Sequence, residues 1–179
     1  MALKARRHKP MPVKLFCGLI GRRERIEQVV SILGRRFGEI DVESPIIPFD
    51  VTDYYTEEMG SDLMRMWVSF KGLRERGFLA LAKHVTLEIE TDLANDGKRS
   101  INIDPGYVDN AQVVLATTKN YAHRIYIGMG YYAEVTLIYR RNGFVTLEWT
   151  YPDYRSPVAL EFFTQVRSIY HDEVSALET

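Results

Sequence analysis

The sequence predicts an α+β fold: a ferredoxin-like β-α-β-β-α-β core extended by a C-terminal antiparallel hairpin and a final helix. Three observations carry that expectation. Two stretches with helical apolar spacing, 22–37 and 78–93, are each bracketed by short strand-like runs. Two further strand-like runs meet at Arg141-Asn142-Gly143, and Asn-Gly between such runs is a strong hairpin signal. Ser156-Pro157 then opens a last helical stretch, with a capping serine and a proline in the first turn.

The elements follow in order. Residues 13–20 form a short apolar run ended by Gly21, read as a buried strand. Ile26, Val29, Val30, Leu33 and Phe37 make the apolar stripe of the first helix, and Gly38 stands where a C-cap glycine belongs. Residues 40–49 look extended, but Pro45 and Pro48 lack backbone donors, so an edge strand or irregular segment is expected. Residues 50–60 read as a polar, aromatic loop leading into a short helical turn, and 63–70 as a strand. The second helix should turn Leu81, Ala82, Val85, Ile89 and Leu93 inward and stop at Asn95-Asp96-Gly97. Residues 100–104 alternate as a half-buried strand, followed by a Pro105-Gly106 turn. Asp109 is placed to cap a short helix from 110 to about 117. Runs 123–127, 132–140 and 144–150 read as strands. The final helix, to about Ala176, should bury Phe162, Phe163, Val166, Ile169, Tyr170 and Val174.

Composition bounds the chemistry. The 179 residues fit one domain, expected over 12–179 behind a loose basic tail at 1–11. Net charge is -1, so nothing pulls the chain as a whole toward nucleic acid or membrane. No run approaches the ~18 apolar residues of a membrane span, and no apolar signal segment follows the basic start. The single cysteine, Cys17, lies in an apolar run and reads as a buried core thiol, which fits a reducing cytoplasmic setting.

The common signatures for nucleotide phosphates, zinc and serine nucleophiles are missing. Gly128-Met129-Gly130 joins two strands without opening a helix, so it reads as a turn. What remains is a concentration of polar residues in the second half. Asp104, followed by Tyr107, ends a strand, where it either meets a ligand or caps its own loop. Lys119, His123 and Arg124 place two fixed cations and a titratable ring within six residues. In a strand, adjacent His123 and Arg124 would face opposite sides. The hairpin would bring Glu134 and Glu148 onto one sheet surface, roughly 5 Å apart, to divide acid and base roles or hold a divalent metal. The same carboxylates could instead form structural ion pairs with Arg124, Arg140 or Arg155. Trp149-Thr150-Tyr151-Pro152-Asp153-Tyr154-Arg155 suits either an aromatic-walled pocket with an ion pair or a plug that stitches the last helix to the sheet. Asp50 and Asp53 are weak metal candidates.

Several of these segments together are distinctive. They include Pro48-Phe49-Asp50-x-Thr52-Asp53-Tyr54-Tyr55, Asn102-x-Asp104-Pro105-Gly106-Tyr107, residues 118–126, residues 132–137 and residues 148–155. They resemble a family of prokaryotic proteins described as domain of unknown function 4416, and the resemblance runs from residue 13 over nearly the whole chain. It implies a small single-domain prokaryotic protein and assigns no activity.

Three functions follow as expectations. The first is a small-molecule or phosphoryl-ligand protein, extending to a hydrolase. In it His123, Glu134 and Glu148 carry acid/base chemistry, while Asp104, Tyr107, Lys119, Arg124, Tyr151, Asp153 and Arg155 hold a small anionic ligand. A divalent metal would be the cofactor, its ligands unassigned. The second is a protein-interaction or oligomerisation module, with a second copy of the chain as a candidate partner. The third and weakest is RNA binding, because the candidate strand holds Ile101 and Ile103 rather than stacking aromatics.

Overall fold

The computed structural model describes residues 9–177, so most of the basic tail expected at 1–11 lies outside the described residues. Among the described residues, four helices pack on a single nine-stranded sheet in which every pairing is antiparallel. The strands are β1 (Lys14–Gly21), β2 (Ile40–Glu43), β3 (Ile47–Pro48), β4 (Met64–Phe70), β5 (Ile101–Val108), β6 (Gln112–Thr117), β7 (Ile125–Gly128), β8 (Tyr131–Arg140) and β9 (Gly143–Thr146). The helices are α1 (Arg23–Phe37), α2 (Thr56–Met59), α3 (Phe78–Asp92) and α4 (Pro157–Ser175). The order across the sheet is β2-β4-β1-β5-β6-β8-β7, with β3 beside β4 and β9 beside β8. No helix of the described residues is long and apolar enough to cross a membrane.

β1 is buried along its whole length because both faces are covered. On one face Leu15, Cys17 and Leu19 meet α1 and α3; on the other, Phe16 meets Trp67 and Phe163 of α4. The α1 stripe is buried as its spacing predicts, and Gly38 N–H closes the helix on Gly34 C=O. Ser156 caps α4 by accepting from Ala159 N–H, and Phe162, Phe163, Val166, Tyr170 and Val174 face inward. Lys14, fully buried, ties α4 to the sheet. Its ammonium sits 2.6 Å from Asp41 and 3.0 Å from Glu173 and donates to Phe70 C=O. Pro45 and Pro48 accompany the short β2 and β3 segments, as their missing donors require.

Four expectations are corrected. Residues 112–117 form a strand, not a helix: Asp109 Oδ1 accepts from Ala111 and Gln112 N–H, which closes a turn, and the β-branched run after it pairs with β5 and β8. Pro105-Gly106 is no turn; both lie inside β5. A Cβ at Gly106 would stand 2.4 Å from Val114 C=O and 2.5 Å from the Phe16 ring, so only glycine fits there. The buried face of α3 is rotated from the expected one: Leu81 is exposed, while Lys83, Thr86 and Glu90 are buried. Finally, β9 stops at Thr146, and residues 147–150 leave the ladder for a turn that is held to β8 by Trp149 Nε1 and Thr150 Oγ1 donating to Val135 and Thr136 C=O.

Candidate functional site

A cleft opens where β5 and β6 part. Their ladder covers only residues 106–108 of β5. One step further, Pro105 has no N–H to give β6, and the strands diverge. The exposed edge of β5 is served by α3 instead. Glu90 Oε1 accepts from Ile103 N–H at 2.5 Å, and Lys83 Nζ donates to Ile103 C=O at 3.2 Å. The resulting cavity has a volume of about 690 Å³, within the usual range for a small-molecule site.

The floor is set by strand register. Gly18 pairs with Asp104 on one side and Trp67 on the other, while Ile20 pairs with Arg65. A Cβ at Gly18 would lie 2.9 Å from Arg65 Nη2 and 2.8 Å from Tyr154 OH. The glycine therefore lets the Arg65 side chain lie across β1. Arg65 is 1% exposed, and its guanidinium stacks near the rings of Trp67 and Tyr154 at 4.6 and 4.9 Å. Its Nε is 2.9 Å from Asp153 Oδ2, an ion pair rather than an aligned hydrogen bond, and Nη1 is buried with no hydrogen-bond partner. Beside it, Asn102 Nδ2 donates to Asp104 Oδ2 at 2.7 Å.

The opposite wall carries Glu134 of β8, 3% exposed. Its Oε2 accepts from Arg124 Nε at 2.7 Å and contacts His123 Nε2 at 2.9 Å, whereas Oε1 is buried without a partner. Arg124 is a hub: Nη1 donates to Lys119 C=O and Nη2 to Tyr151 OH, so one guanidinium positions three parts of the wall. His123 is held from outside by the Trp149 ring, stacked at 4.8 Å. At the mouth, Lys119 Nζ lies 2.8 Å from Tyr54 OH and 4.6 Å from its ring. That contact holds the Tyr54 phenol below its ordinary value. Arg99 is bidentate on Glu58, with Nε at 2.9 Å and Nη2 at 2.6 Å. The guanidinium in turn keeps the Glu58 carboxyl below its ordinary value. Burial pushes the Glu90 carboxyl up to about 7 and raises the Tyr55 and Tyr154 phenols.

Asp104, Lys119, Glu134, Tyr151 and Asp153, all singled out in the sequence, line one cleft, with Arg124 and His123 directly behind Glu134. His123 and Arg124 sit in a turn rather than a strand, so both reach the same carboxylate instead of facing opposite sides. The carboxylate pair is corrected: β8 pairs with β9 only from Leu137 onward, and Glu148 lies exposed in the following loop, apart from Glu134. Arg155 is spent on its own loop, donating to Thr150, Leu147 and Glu148 C=O. Tyr107 stands outside the cleft against Arg76. Among the described residues no group of three or more His, Cys, Asp or Glu is arranged to hold a metal ion.

Sequence reasoning missed Arg65, Lys83, Glu90 and Arg99. Lys83, Thr86 and Glu90 fall at i, i+3 and i+7, a polar line within an otherwise apolar helix face, and that signal was available. Arg65 inside the apolar run Met64–Phe70 was the other.

Comparison with protein families matches residues 11–170 to the one described as Domain of unknown function (DUF4416). No curated protein and no solved structure matches the chain.

Proposed function

The chain belongs to the DUF4416 family, and from the geometry of its cleft we propose that it binds a small anionic molecule, phosphorylated or carboxylated, that also carries a hydrogen-bond donor. The observation that carries this reading is that Arg65 Nη1 and Glu134 Oε1, on two side chains that line one cavity, are both buried without a hydrogen-bond partner. Leaving a buried polar atom without a partner costs about 1–3 kcal/mol, more for a charged one. A ligand that accepts from Arg65 and donates to Glu134 removes both penalties. The anion's charge is met by Lys119, whose ammonium contacts Tyr54 among the described residues. Glu134 Oε1 is also where a ligand hydroxyl or an attacking water would give up a proton, so phosphoester hydrolysis is the reaction class to assay first. His123 and Arg124 act through Glu134, as positioning residues.

The test is a thermal-shift panel of inorganic phosphate, nucleotides, sugar phosphates, small carboxylates and divalent metals. A ligand at 100 times its Kd adds about 2.7 kcal/mol, a rise of about 5–11 °C for a domain of this size. The rise should vanish in Glu134→Gln and Lys119→Ala. Silence over the whole panel of anions contradicts the reading.

A second reading, a contact surface for a second copy of the chain, is favoured by the edge strand β7. Ile125 and Tyr126 there are 73 and 60% exposed, and Met129 in the turn after it 54%. Sedimentation giving a monomer at high concentration contradicts it. We further read β2-β4-β1-β5 with α1 and α3 as a ferredoxin-like core. The strand order and the packing of both helices on one face support this. The buried lone thiol Cys17 supports a cytoplasmic setting.

A further inference from the structure

Two side chains of α3 stand in for the strand that β5 lacks, and they are of opposite charge. Lys83 Nζ also lies 3.7 Å from Asp104 Oδ1, which it pairs with directly, while it acts on Glu90 only through space. The nearby Arg99 is already bidentate on Glu58. The Asp104 side chain is 28% exposed and accepts from Asn102 Nδ2. Glu90 is 3% exposed, and its Oε1 accepts one backbone N–H. A carboxylate in that position is the one that keeps a proton.

We propose that Glu90 gates the cleft: the anion binds the form in which Glu90 is protonated, and ionisation of Glu90 weakens that binding. The inference rests on the anion-binding reading of the same cleft. With Glu90 neutral, Lys83 pairs with Asp104, Arg65 with Asp153, Arg99 with Glu58 and Arg124 with Glu134. Among the described residues Lys119 is then a cation without a carboxylate partner. With Glu90 ionised, that excess of one positive charge is cancelled. Burial, only partly offset by Lys83, pushes the Glu90 carboxyl up to about 7, so the gate operates near neutrality. The groups facing Glu90 are Lys83 on its own helix, Asp104 and Asn102 on β5, and Arg99 in the preceding loop. Arg65, Asp153, Glu134 and Lys119 line the rest of the cavity, with the phenols of Tyr55 and Tyr151. The Cys17 thiol beside Lys83 is raised far by burial and stays neutral. His123 touches Glu134 from outside the cleft and is the control position for the experiment.

The experiment is calorimetric titration of the full chain with sulfate, whose charge is constant, between about pH 6 and about pH 8.5. The wild type should lose affinity on the order of tenfold across that range. Glu90→Gln, which keeps the acceptor for Ile103 N–H, should bind sulfate with little pH dependence, and His123→Gln, at whatever affinity it retains, should keep the wild-type slope with pH. Measurable binding that is flat with pH in the wild type overturns the gate and leaves the binding reading standing. A slope that survives in Glu90→Gln overturns it too. No sulfate binding at any pH, including the acid end where the cleft is most positive, overturns the gate, while the anion-binding reading, whose ligand also carries a donor for Glu134, falls only with a silent thermal-shift panel.

Discussion

Removing the Arg65 guanidinium should show that the cleft is built at the expense of stability. Arg65 is 1% exposed and Asp153 8%, and their ion pair spans 2.9 Å between β4 and the 3-10 turn at Pro152–Arg155. In Arg65→Met the carboxylate of Asp153 stays buried without its cation. Breaking one half of a buried pair costs about 3–5 kcal/mol. At about 2–4 °C per kcal/mol, the midpoint should fall by roughly 6–20 °C. In Arg65→Met/Asp153→Leu both charges go, the methionine fills the space between Trp67 and Tyr154, and the orphaned Nη1 disappears. That double variant should recover to within about 1 kcal/mol of the wild type or exceed it, while losing anion binding. The assay is urea unfolding of the wild type, both single variants and the double, read as a double-mutant cycle. A double variant no more stable than Arg65→Met, or an Arg65→Met loss below about 1 kcal/mol, would refute the reasoning.

Other outcomes follow from the same geometry. Gly106→Ala should destabilise by about 1–3 kcal/mol or more, because the added methyl meets Val114 C=O and the Phe16 ring, and hydrogen exchange at Val114 and Leu115 should quicken. Lys14→Met leaves Asp41 and Glu173 without their shared cation and should cost about 3–5 kcal/mol by urea unfolding. Glu90 makes stability depend on pH. Its folded-state value is raised to about 7 from 4.5, so the folded state binds the extra proton and stability falls as pH rises through that window, levelling off above it. The loss is about 3 kcal/mol. Thermal midpoints of Glu90→Gln should lack this fall, and a wild-type curve parallel to that of the variant would contradict the assignment.

Local patterns made much of this fold legible. The α1 stripe, the Ser156 cap and the prolines at the β2–β3 edge each act over a few residues, so their sequence reports their structure. The hairpin at Asn142 was also legible, although the turn residues are Arg141 and Asn142, with Arg141 at φ +57° and Gly143 already paired to Arg140. Where tertiary contacts overrode local preference, the reading failed. Asp109 closes a β-turn rather than a helix because β5 and β8 claim the chain after it. Pro105 looked like a turn residue, yet it marks the point where a ladder ends inside a strand. In the cleft, the residues visible from sequence belong to polar loops or, for Asp104 and Glu134, stand as acids in the strands β5 and β8, whereas Arg65, Lys83 and Glu90 come from buried faces of β4 and α3. Their convergence depends on register and on the missing Pro105 donor, which no local window contains.

The claim that most needs testing is that Arg65 Nη1 and Glu134 Oε1 await a ligand. The direct measurement is a crystal structure of the protein grown with the anion that gives the largest thermal shift. An acceptor oxygen of the anion within about 3 Å of Arg65 Nη1, with a ligand donor at Glu134 Oε1, is the predicted result. Ordered water alone satisfying both atoms, with the anion bound elsewhere, would contradict it.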